Sequence, residues 1–317
     1  MKRLFLIASL ASGLLLFSCD KVDNSLKKEG TAGIDWSLYP GGDSTTYVQA
    51  GLWPTFTANT NTLRNVVIED FTGHLCVFCP LTASAVHAFT DTTSTRAFDV
   101  AIHSGSEGGG GLANSFQALE APNFMEVFFN DEGLAIGEYF GDIPGTGFVS
   151  NPRLTINRIK QGNDPTCSAA SISTLSNVVF GSQLKVNIQA SSNYFPTTRG
   201  IFLHTEIDKL DQTLTSDLYT VVYLVEDSII APQKISSPQF PSGVIPDYVH
   251  RNVMRGCLDK KPFGQKLSVA SLDSNGKYHF NYSYKLPNEY AINNMHLLIY
   301  VYDKASEEIL QVIKHHL

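Results

Sequence analysis

Several features that would point to a common biochemical activity are missing from this chain. Its glycine run at 108–111 is not followed by Gly-Lys-Ser/Thr, which excludes a phosphate-binding loop of that type. Its formal net charge is −7 and no basic stripe is present, so a nucleic-acid partner is not expected. After the first residues, no apolar run is long enough to cross a membrane. The five cysteines therefore carry most of the functional information.

The first residues have the pattern of a lipoprotein signal peptide. Two basic residues precede an apolar run, residues 4–17, that is too short to span a bilayer comfortably. Ser18 then precedes Cys19, as at sites where a lipoprotein signal peptidase cuts once the cysteine carries lipid. The alternative is an ordinary secretory signal with an unrelated cysteine. From this pattern we expect removal of residues 1–18 and lipid on Cys19. Each buried acyl methylene contributes about 0.8 kcal/mol to membrane binding, so two or three acyl chains would hold the protein at a membrane.

Export would place the mature protein where disulfides persist. Removal of the signal peptide takes away two basic residues and changes the net charge from −7 to −9. The length is typical of two domains. We expect a polar, flexible tether over residues 19–62, a first domain over 63–166 and a second domain over 167–317.

The first domain is predicted to alternate strands and helices. An apolar run at 66–68 is typical of a strand buried on both faces, and apolar residues recur at helical spacing over 80–89. Further along, the patterns predict a strand over 98–103, helices over 116–129 and 132–140, and a strand over 154–159. This order predicts an α/β domain with a mixed or parallel sheet and helices on its faces.

Beyond Cys167 the helical period disappears, and short alternating strands are predicted instead. They cover residues 184–190, 200–207, 219–225, 278–286 and 296–302. This pattern is typical of an all-β fold, an antiparallel sandwich of the immunoglobulin-like type. A proline-rich insert at 232–264 has no predicted place in it.

Two cysteines separated by two residues stand where the first strand is predicted to lead into the first helix. This position puts Cys76 at a helix N-terminus, where unpaired N–H groups and the helix dipole favour thiolate over thiol. Cys79 is near enough to close a disulfide or to resolve a mixed one. We therefore predict Cys76 as a nucleophile and Cys79 as the resolving cysteine.

Two further residues have positions that resemble those around the cysteine pair of thioredoxins. Asp70 comes six residues before Cys76, at the end of the predicted strand, where it would take up the proton of the resolving cysteine. Pro152 precedes a predicted strand and is our candidate for a cis-proline opposite the pair, with an ordinary trans turn proline as the alternative. Leu75 departs from the pattern, because thioredoxins usually have tryptophan there.

Other roles for these cysteines stay open. His74, Cys76 and Cys79 could supply three metal ligands, but a fourth would have to come from far away and no second Cys-x-x-Cys exists. Pro80 stands where covalent haem attachment needs histidine, and we expect no cofactor. A purely structural disulfide is a further alternative.

Three more residues allow two interpretations each. His103 ends the second predicted strand, where it could approach the cysteine pair or be purely structural. Cys167 and Cys257 could join the two domains by a disulfide or stay buried as free thiols. The residues alone do not decide between these interpretations.

The segment around the cysteine pair resembles a known family. The run 67–74 leading into Cys76-Val77-Phe78-Cys79-Pro80 is similar to the outer membrane protein 28 family of Bacteroidetes envelope lipoproteins. The same is true of residues 101–105, 131–133, 139–140, 157–158, 225–227, 233 and 250–255. The resemblance covers nearly everything from Asn65 onward. It implies a thioredoxin-like domain followed by an immunoglobulin-like sandwich, in a protein of the outer membrane.

The hypothesis that follows is a lipid-anchored thiol–disulfide oxidoreductase of the envelope. Cys76 would attack a disulfide of a partner protein, Cys79 would resolve the mixed disulfide, and Asp70 would take up the proton. The partners would be protein thiols or disulfides, with the membrane reached through lipid on Cys19. The alternative is a non-enzymatic adhesin or binding scaffold, in which the sandwich binds and the disulfide is static.

Overall fold

The structure is a computed structural model of the chain, and it describes residues 33–93, 95–104, 116–141 and 151–317. Within these ranges the strands are β1 (Val66–Thr72), β2 (Ala97–His103), β3 (Arg153–Ile156), β4 (Thr166–Cys167), β5 (Val186–Phe195), β6 (Gly200–Lys209), β7 (Leu218–Glu226), β8 (Ile229–Lys234), β9 (Val244–His250), β10 (Val253–Cys257), β11 (Gln265–Lys266), β12 (Lys277–Lys285), β13 (Met295–Asp303) and β14 (Ile309–His316). The helices are α1 (Ser44–Gln49), α2 (Cys79–Thr92), α3 (Asp131–Phe140) and α4 (Ile172–Phe180). Single turns of 3₁₀ helix lie at Trp36–Leu38, Ala169–Ser171, Val269–Ser271 and Ile292–Asn294. The protein is therefore mixed α/β and built mostly from strands.

The first half of the chain alternates strands and helices, as predicted. β1 runs parallel to β2 and antiparallel to β3, and β4 pairs antiparallel with β3, which gives the order β2-β1-β3-β4. Every residue of β1 is buried, because helices cover both faces of the sheet. α2 and α4 pack on the face of Val66 and Ile68, and α3 packs on the face of Val67 and Phe71. Since alternate residues of a strand share a face, Asp70 lies on the side of α2.

In the second half, two layers of antiparallel strands pack face to face. A three-stranded sheet has the order β12-β6-β5, and it covers β7, β13 and β14. Apolar side chains from both layers fill the space between them, among them Ile188 and Leu203 from one layer and Leu224 and Ile299 from the other. All five strands predicted beyond Cys167 are present, with somewhat different ends.

Strand β10 joins the two halves. It pairs parallel with β2, with Val253 opposite Ala101, and antiparallel with β7. Among the described residues, one sheet of nine strands therefore runs in the order β14-β13-β7-β10-β2-β1-β3-β4, with β11 beside β7. The two predicted domains share this sheet, and the predicted boundary between residues 166 and 167 falls inside β4.

Two segments differ from their predicted secondary structure. α4 lies beyond Cys167, where the sequence predicts no helix; its residues Ile172, Leu175 and Val179 recur at helical spacing and pack on the sheet. The prediction of a helix over 116–129 is also wrong, because turns and extended chain occupy this segment. Pro122 lies inside it and has no N–H to donate to a preceding helical turn.

Residues 33–62 depart from the predicted flexible tether. They contain the 3₁₀ turn and α1, and Tyr47 of α1 is fully buried. Leu38 and Tyr47 pack on Phe202 of β6, and the Tyr47 hydroxyl forms a hydrogen bond of 2.9 Å with Nε2 of His204. A few aromatic side chains therefore dock this polar segment on the three-stranded sheet. The signal peptide, Cys19 and the rest of the predicted tether lie outside the described residues.

Candidate redox site

The predicted cysteine pair lies just beyond the carboxyl end of β1. The chain leaves β1 at Thr72, turns, and enters α2. Cys76 and Cys79 form a disulfide, with their Cα atoms 5.4 Å apart. The helix begins at Cys79 and not at Cys76, because Pro80 occupies its first turn, where a missing N–H is tolerated. This corrects the sequence prediction: the resolving cysteine starts the helix, and the predicted nucleophile precedes it.

Both cysteines are sealed from solvent. Cys76 is 2% exposed and Cys79 is 1% exposed. The cover is the β8–β9 hairpin, which belongs largely to the insert that had no predicted place. The backbone N–H of Lys234 donates to the carbonyl oxygen of His74 at 2.8 Å, and that of Ser236 donates to Val77 at 2.9 Å. The prediction of a reachable Cys76 therefore does not hold for this oxidised conformation.

Asp70 is buried in a cavity that Cys79 also lines. It is 4% exposed, and its Oδ1 has no hydrogen-bond partner. Ala83 and Asp99 line this cavity as well. The cavity volume is about 20 Å³, enough for one water molecule. Burial raises the pKa of Asp70 to about 8, and the like charge of Asp99 contributes a smaller part of this increase. Asp70, the predicted proton acceptor, and Cys79, the predicted resolving cysteine, thus line the same cavity.

Three histidines, His87, His103 and His250, line the same cavity, and burial lowers the pKa of each. Burial lowers the pKa of His250 to about 3 and holds the pKa of His103 well below its usual value. Nδ1 of His103 lies 3.1 Å from Oε1 of Gln117, and its ring stacks on Phe128 with 4.6 Å between the ring centroids. His103 therefore approaches the site, as one interpretation expected, but its surroundings fix it as a neutral, packed side chain.

Pro152 lies at the same end of the sheet. The Asn151–Pro152 peptide bond is cis, which confirms the predicted isomer. Arg153 pairs with Phe71, so Pro152 lies beside the carboxyl end of β1. Nδ2 of Asn151 donates to the carbonyl oxygens of Thr72 at 2.9 Å and of Ser104 at 2.7 Å. These bonds hold the loop that carries Pro152 against the ends of β1 and β2.

Two residues of the site were not predicted from the sequence. Asp99 comes from the middle of β2, and its Oδ2 lies 3.7 Å from Nε2 of His87 on α2. The sequence does carry a signal for Asp99, because a charged residue inside an otherwise apolar strand is unusual. Gln233 donates from Nε2 to the carbonyl oxygens of Gly73 and Cys76, both at 3.1 Å. The family resemblance includes residue 233, but nothing in the local sequence gives this glutamine a role, because its partners come from a distant part of the chain.

The remaining cysteines do not link the two halves. Cys167 and Cys257 are both free and buried. Burial raises the pKa of the Cys167 thiol to about 11, which makes it a poor nucleophile. Nε2 of His74, considered as a metal ligand, lies 2.9 Å from the carbonyl oxygen of Ala118. In the described part of the chain, no group of three or more His, Cys, Asp or Glu side chains could hold a metal ion.

Three solved structures are similar to this chain. HBP35 of Porphyromonas gingivalis is 18% identical with a TM-score of 0.56, over 82% of this chain and 77% of that protein. A domain of the outer membrane lipoprotein Omp28 from the same organism is 18% identical with a TM-score of 0.29, over 42% of this chain and 88% of that domain. A protein of Agrobacterium tumefaciens is 10% identical with a TM-score of 0.46, over 79% of this chain and 93% of that protein. No curated protein matches the sequence. At these identities the likeness to HBP35 concerns the fold alone.

The fold and the site together define a mixed α/β protein with a buried Cys-x-x-Cys disulfide. A family model described as outer membrane protein Omp28 matches residues 145–317, more than half of the chain. The chain therefore belongs to the Omp28 family, and the protein is located at the outer membrane. The matched region begins after the cysteine pair. Within the described ranges, no helix is long and apolar enough to cross a membrane.

Proposed function

We propose that this protein is a thiol–disulfide oxidoreductase of the envelope, anchored by lipid on Cys19. Its first part, 63–166, would be a thioredoxin-like domain, and 167–317 an immunoglobulin-like sandwich. The strand order β2-β1-β3-β4, with a Cys-x-x-Cys before the first helix of that sheet, supports the first assignment. The two packed layers of antiparallel strands support the second. The partners would be protein thiols or disulfides, and no cofactor is needed because the two sulfurs carry both electrons.

The observation that carries the proposal is the unpaired acid in the cavity that Cys79 also lines. Asp70 is buried, one of its oxygens has no partner, and it shares a cavity with Cys79. Burying a carboxyl group without a partner lowers the free energy of unfolding. A static disulfide does not need a buried acid beside it. A cysteine that must lose and regain a proton needs a nearby group to take up that proton, and acids with perturbed pKa values concentrate at functional sites.

The reduced pair would act in two steps. First, the Cys76 thiolate attacks a partner's disulfide, whose S–S bond breaks; one partner sulfur leaves as a thiolate and the other stays bound to Cys76. Then the ionised form of Asp70 takes the proton of Cys79, and Sγ of Cys79 attacks Sγ of Cys76. This releases the second partner sulfur as a thiolate and forms the Cys76–Cys79 disulfide. Two electrons pass to the partner, and oxidation of a partner dithiol is the reverse sequence.

The test is disulfide exchange by the full-length protein in detergent. We expect it to catalyse the reduction of insulin by dithiothreitol, and the Cys76→Ser variant to lose this activity. Cys167→Ser is the matched control, since it removes a buried free thiol away from the site and should leave the activity unchanged. Cys79→Ala should accumulate mixed disulfides with envelope proteins, which mass spectrometry identifies. Equal activity of Cys76→Ser and the wild type would rule out this function.

One observation favours a second candidate, a surface adhesin or binding scaffold with a static disulfide. The β8–β9 hairpin leaves Cys76 2% exposed, so the oxidised pair cannot meet a partner without movement of its cover. The two candidates differ in the reduction potential of the pair, since structural disulfides have potentials below about −300 mV.

A further inference from the structure

The segment that covers the disulfide is bound through its main chain, as an added strand would be. The N–H groups of Lys234 and Ser236 donate to the carbonyl oxygens of His74 and Val77. In extended chain, alternate N–H groups point to the same side, so two donors that are two residues apart can bond to one neighbouring segment. The loop 73–77 thus offers a strip of carbonyl acceptors to an extended peptide.

Two side chains fasten this cover, the exposed ion pair of Lys234 with Glu120 at 2.9 Å and the buried amide of Gln233. Gln233 is 3% exposed, and its Nε2 contacts the carbonyl oxygens of Gly73 and Cys76. It also lines the cavity that contains Cys79 and Asp70. A buried amide held by several carbonyl oxygens is costly to leave without partners, so the side chain adds to the stability of the closed form.

The rest of the hairpin is weakly attached. In the sheets formed by the described residues, β8 and β9 pair only with each other. The apolar cluster beneath them is small and consists of Phe128, Ala231 and Val253 with Ile229 packed beside it. A two-stranded hairpin is only marginally stable by itself. This hairpin can therefore be displaced without breaking the strand pairing of the nine-stranded sheet.

We propose that the loop 73–77 is a docking strip for an extended segment of a partner polypeptide, and that Gln233–Ser236 is a resident segment which this partner displaces to reach Cys76. The inference deepens the proposed function and rests on it for the identity of the partner. Phe78 and Leu81 border the strip and are each 57% exposed, so the chemistry favours a partner with apolar side chains beside its reacting cysteine.

The experiment compares two glutamines of the same hairpin in the full-length protein. Gln233→Ala removes the bonds to the loop, whereas Gln239 is exposed and its side chain bonds to nothing in that loop, so Gln239→Ala is the matched control. The reduction rate of the Cys76–Cys79 disulfide by dithiothreitol is followed by alkylation and mass. We expect Gln233→Ala to be reduced at least tenfold faster than the wild type, and Gln239→Ala within twofold of it. Ser236→Pro, which removes the main-chain donor to Val77, should also be reduced faster.

A peptide with the sequence of residues 229–240 then tests the docking strip. Added to Ser236→Pro, it should slow reduction of the disulfide toward the wild-type rate, and absence of any slowing would overturn the docking strip. If both Gln233→Ala and Ser236→Pro were reduced at the wild-type rate, the proposal that Gln233–Ser236 is a displaceable cover would be overturned. These measurements need no catalysis, so they are separate from the insulin assay. Fast reduction of the variants without insulin turnover would contradict the proposed function, but it would still support the covering role of residues 233–236.

Discussion

Two neighbouring acids of β1 face opposite sides of the sheet and have opposite environments. Burial alone would raise the pKa of Glu69, but the charge and hydrogen bonds of Arg158 hold it below its usual value. The two side chains meet at 2.5 Å, and Thr155 adds a bond of 2.7 Å to Glu69. Asp70 has no such cation, and its pKa is raised by burial and by Asp99. At the scale of single residues, one acid is therefore structural and the other is able to exchange a proton.

Replacing Asp70 by asparagine should stabilise the oxidised protein at alkaline pH. The folded pKa of about 8 lies above the ordinary value of 3.8, so between these pH values the folded state binds more protons than the unfolded state. The wild-type free energy of unfolding should therefore fall as the pH rises through this window. Each pKa unit corresponds to about 1.4 kcal/mol, so the gain for Asp70→Asn at pH 9 should be on the order of several kcal/mol. Urea unfolding from pH 4 to 9 checks this, and parallel profiles for the two proteins would contradict it.

Replacing Asp99 by asparagine should lower the pKa of Asp70. The amide has the same shape and still accepts the hydrogen bond that Asn252 donates at 2.9 Å, but it removes the like charge from the shared cavity. We expect a decrease of roughly one unit, measured by the infrared carboxyl band of Asp70 as a function of pH. Asp217→Asn is the control, since this exposed acid pairs with Lys266 outside the cavity and should leave the titration unchanged. An identical titration in Asp99→Asn would exclude electrostatic coupling of the two acids.

At the scale of secondary-structure elements, α1 tests whether the segment before β1 belongs to the folded core. Tyr47→Ala should lower the free energy of unfolding by about 3 kcal/mol, because it empties a buried aromatic site against Phe202. Val48→Ala changes the next residue of the helix, which is exposed, and should have little effect. Fluorescence of Trp36, whose ring centroid lies 5.4 Å from that of Tyr47, reports the transition in urea. Equal stability of both variants would mean that the segment is a tether after all.

Elements with local patterns were predicted, and elements defined by distant partners were not. β1, α2, β2 and α3 have apolar spacing that is visible within a few residues, and the ends of β2 and α3 lie within one residue of the predicted ones. β1 continues four residues beyond the predicted apolar run 66–68. β10 has no such signal, because its place in the sheet depends on pairing with β2 from the other half of the chain.

The site divides in the same way. Spacing from Cys76 singled out Asp70 and Cys79, since all three belong to one strand, turn and helix. The covering segment and Gln233 could not be found by spacing, because their bonds to the loop 73–77 join parts of the chain that are far apart in sequence.

At the scale of the whole molecule, one buried cation connects the two halves. Arg158 follows β3, and its Nη2 donates to the hydroxyl oxygens of Tyr223 on β7 at 3.2 Å and Tyr300 on β13 at 2.9 Å. The guanidinium carbon also lies 3.9 Å from the ring centroid of Phe140 on α3. The shared sheet and this cluster imply that both halves unfold together.

Replacing Arg158 by methionine should therefore destabilise the entire protein. We expect a loss of about 3–5 kcal/mol, because Glu69 would be left as a buried charge without its partner. Arg251→Met, which breaks a partly exposed pair with Asp91, should cost at most about 1 kcal/mol. In urea, circular dichroism and tryptophan fluorescence should follow one coincident transition for the wild type. Two separate transitions would mean that the halves are independent domains.

The reduction potential of the Cys76–Cys79 pair distinguishes a disulfide that exchanges with partners from a static one. The full-length protein is equilibrated in dithiothreitol and glutathione buffers of known potential, and the fraction of reduced pair is counted by alkylation and mass. We expect a value between about −270 and −120 mV, the range of proteins that exchange disulfides. A value below about −300 mV would identify a static bond and contradict the proposed function.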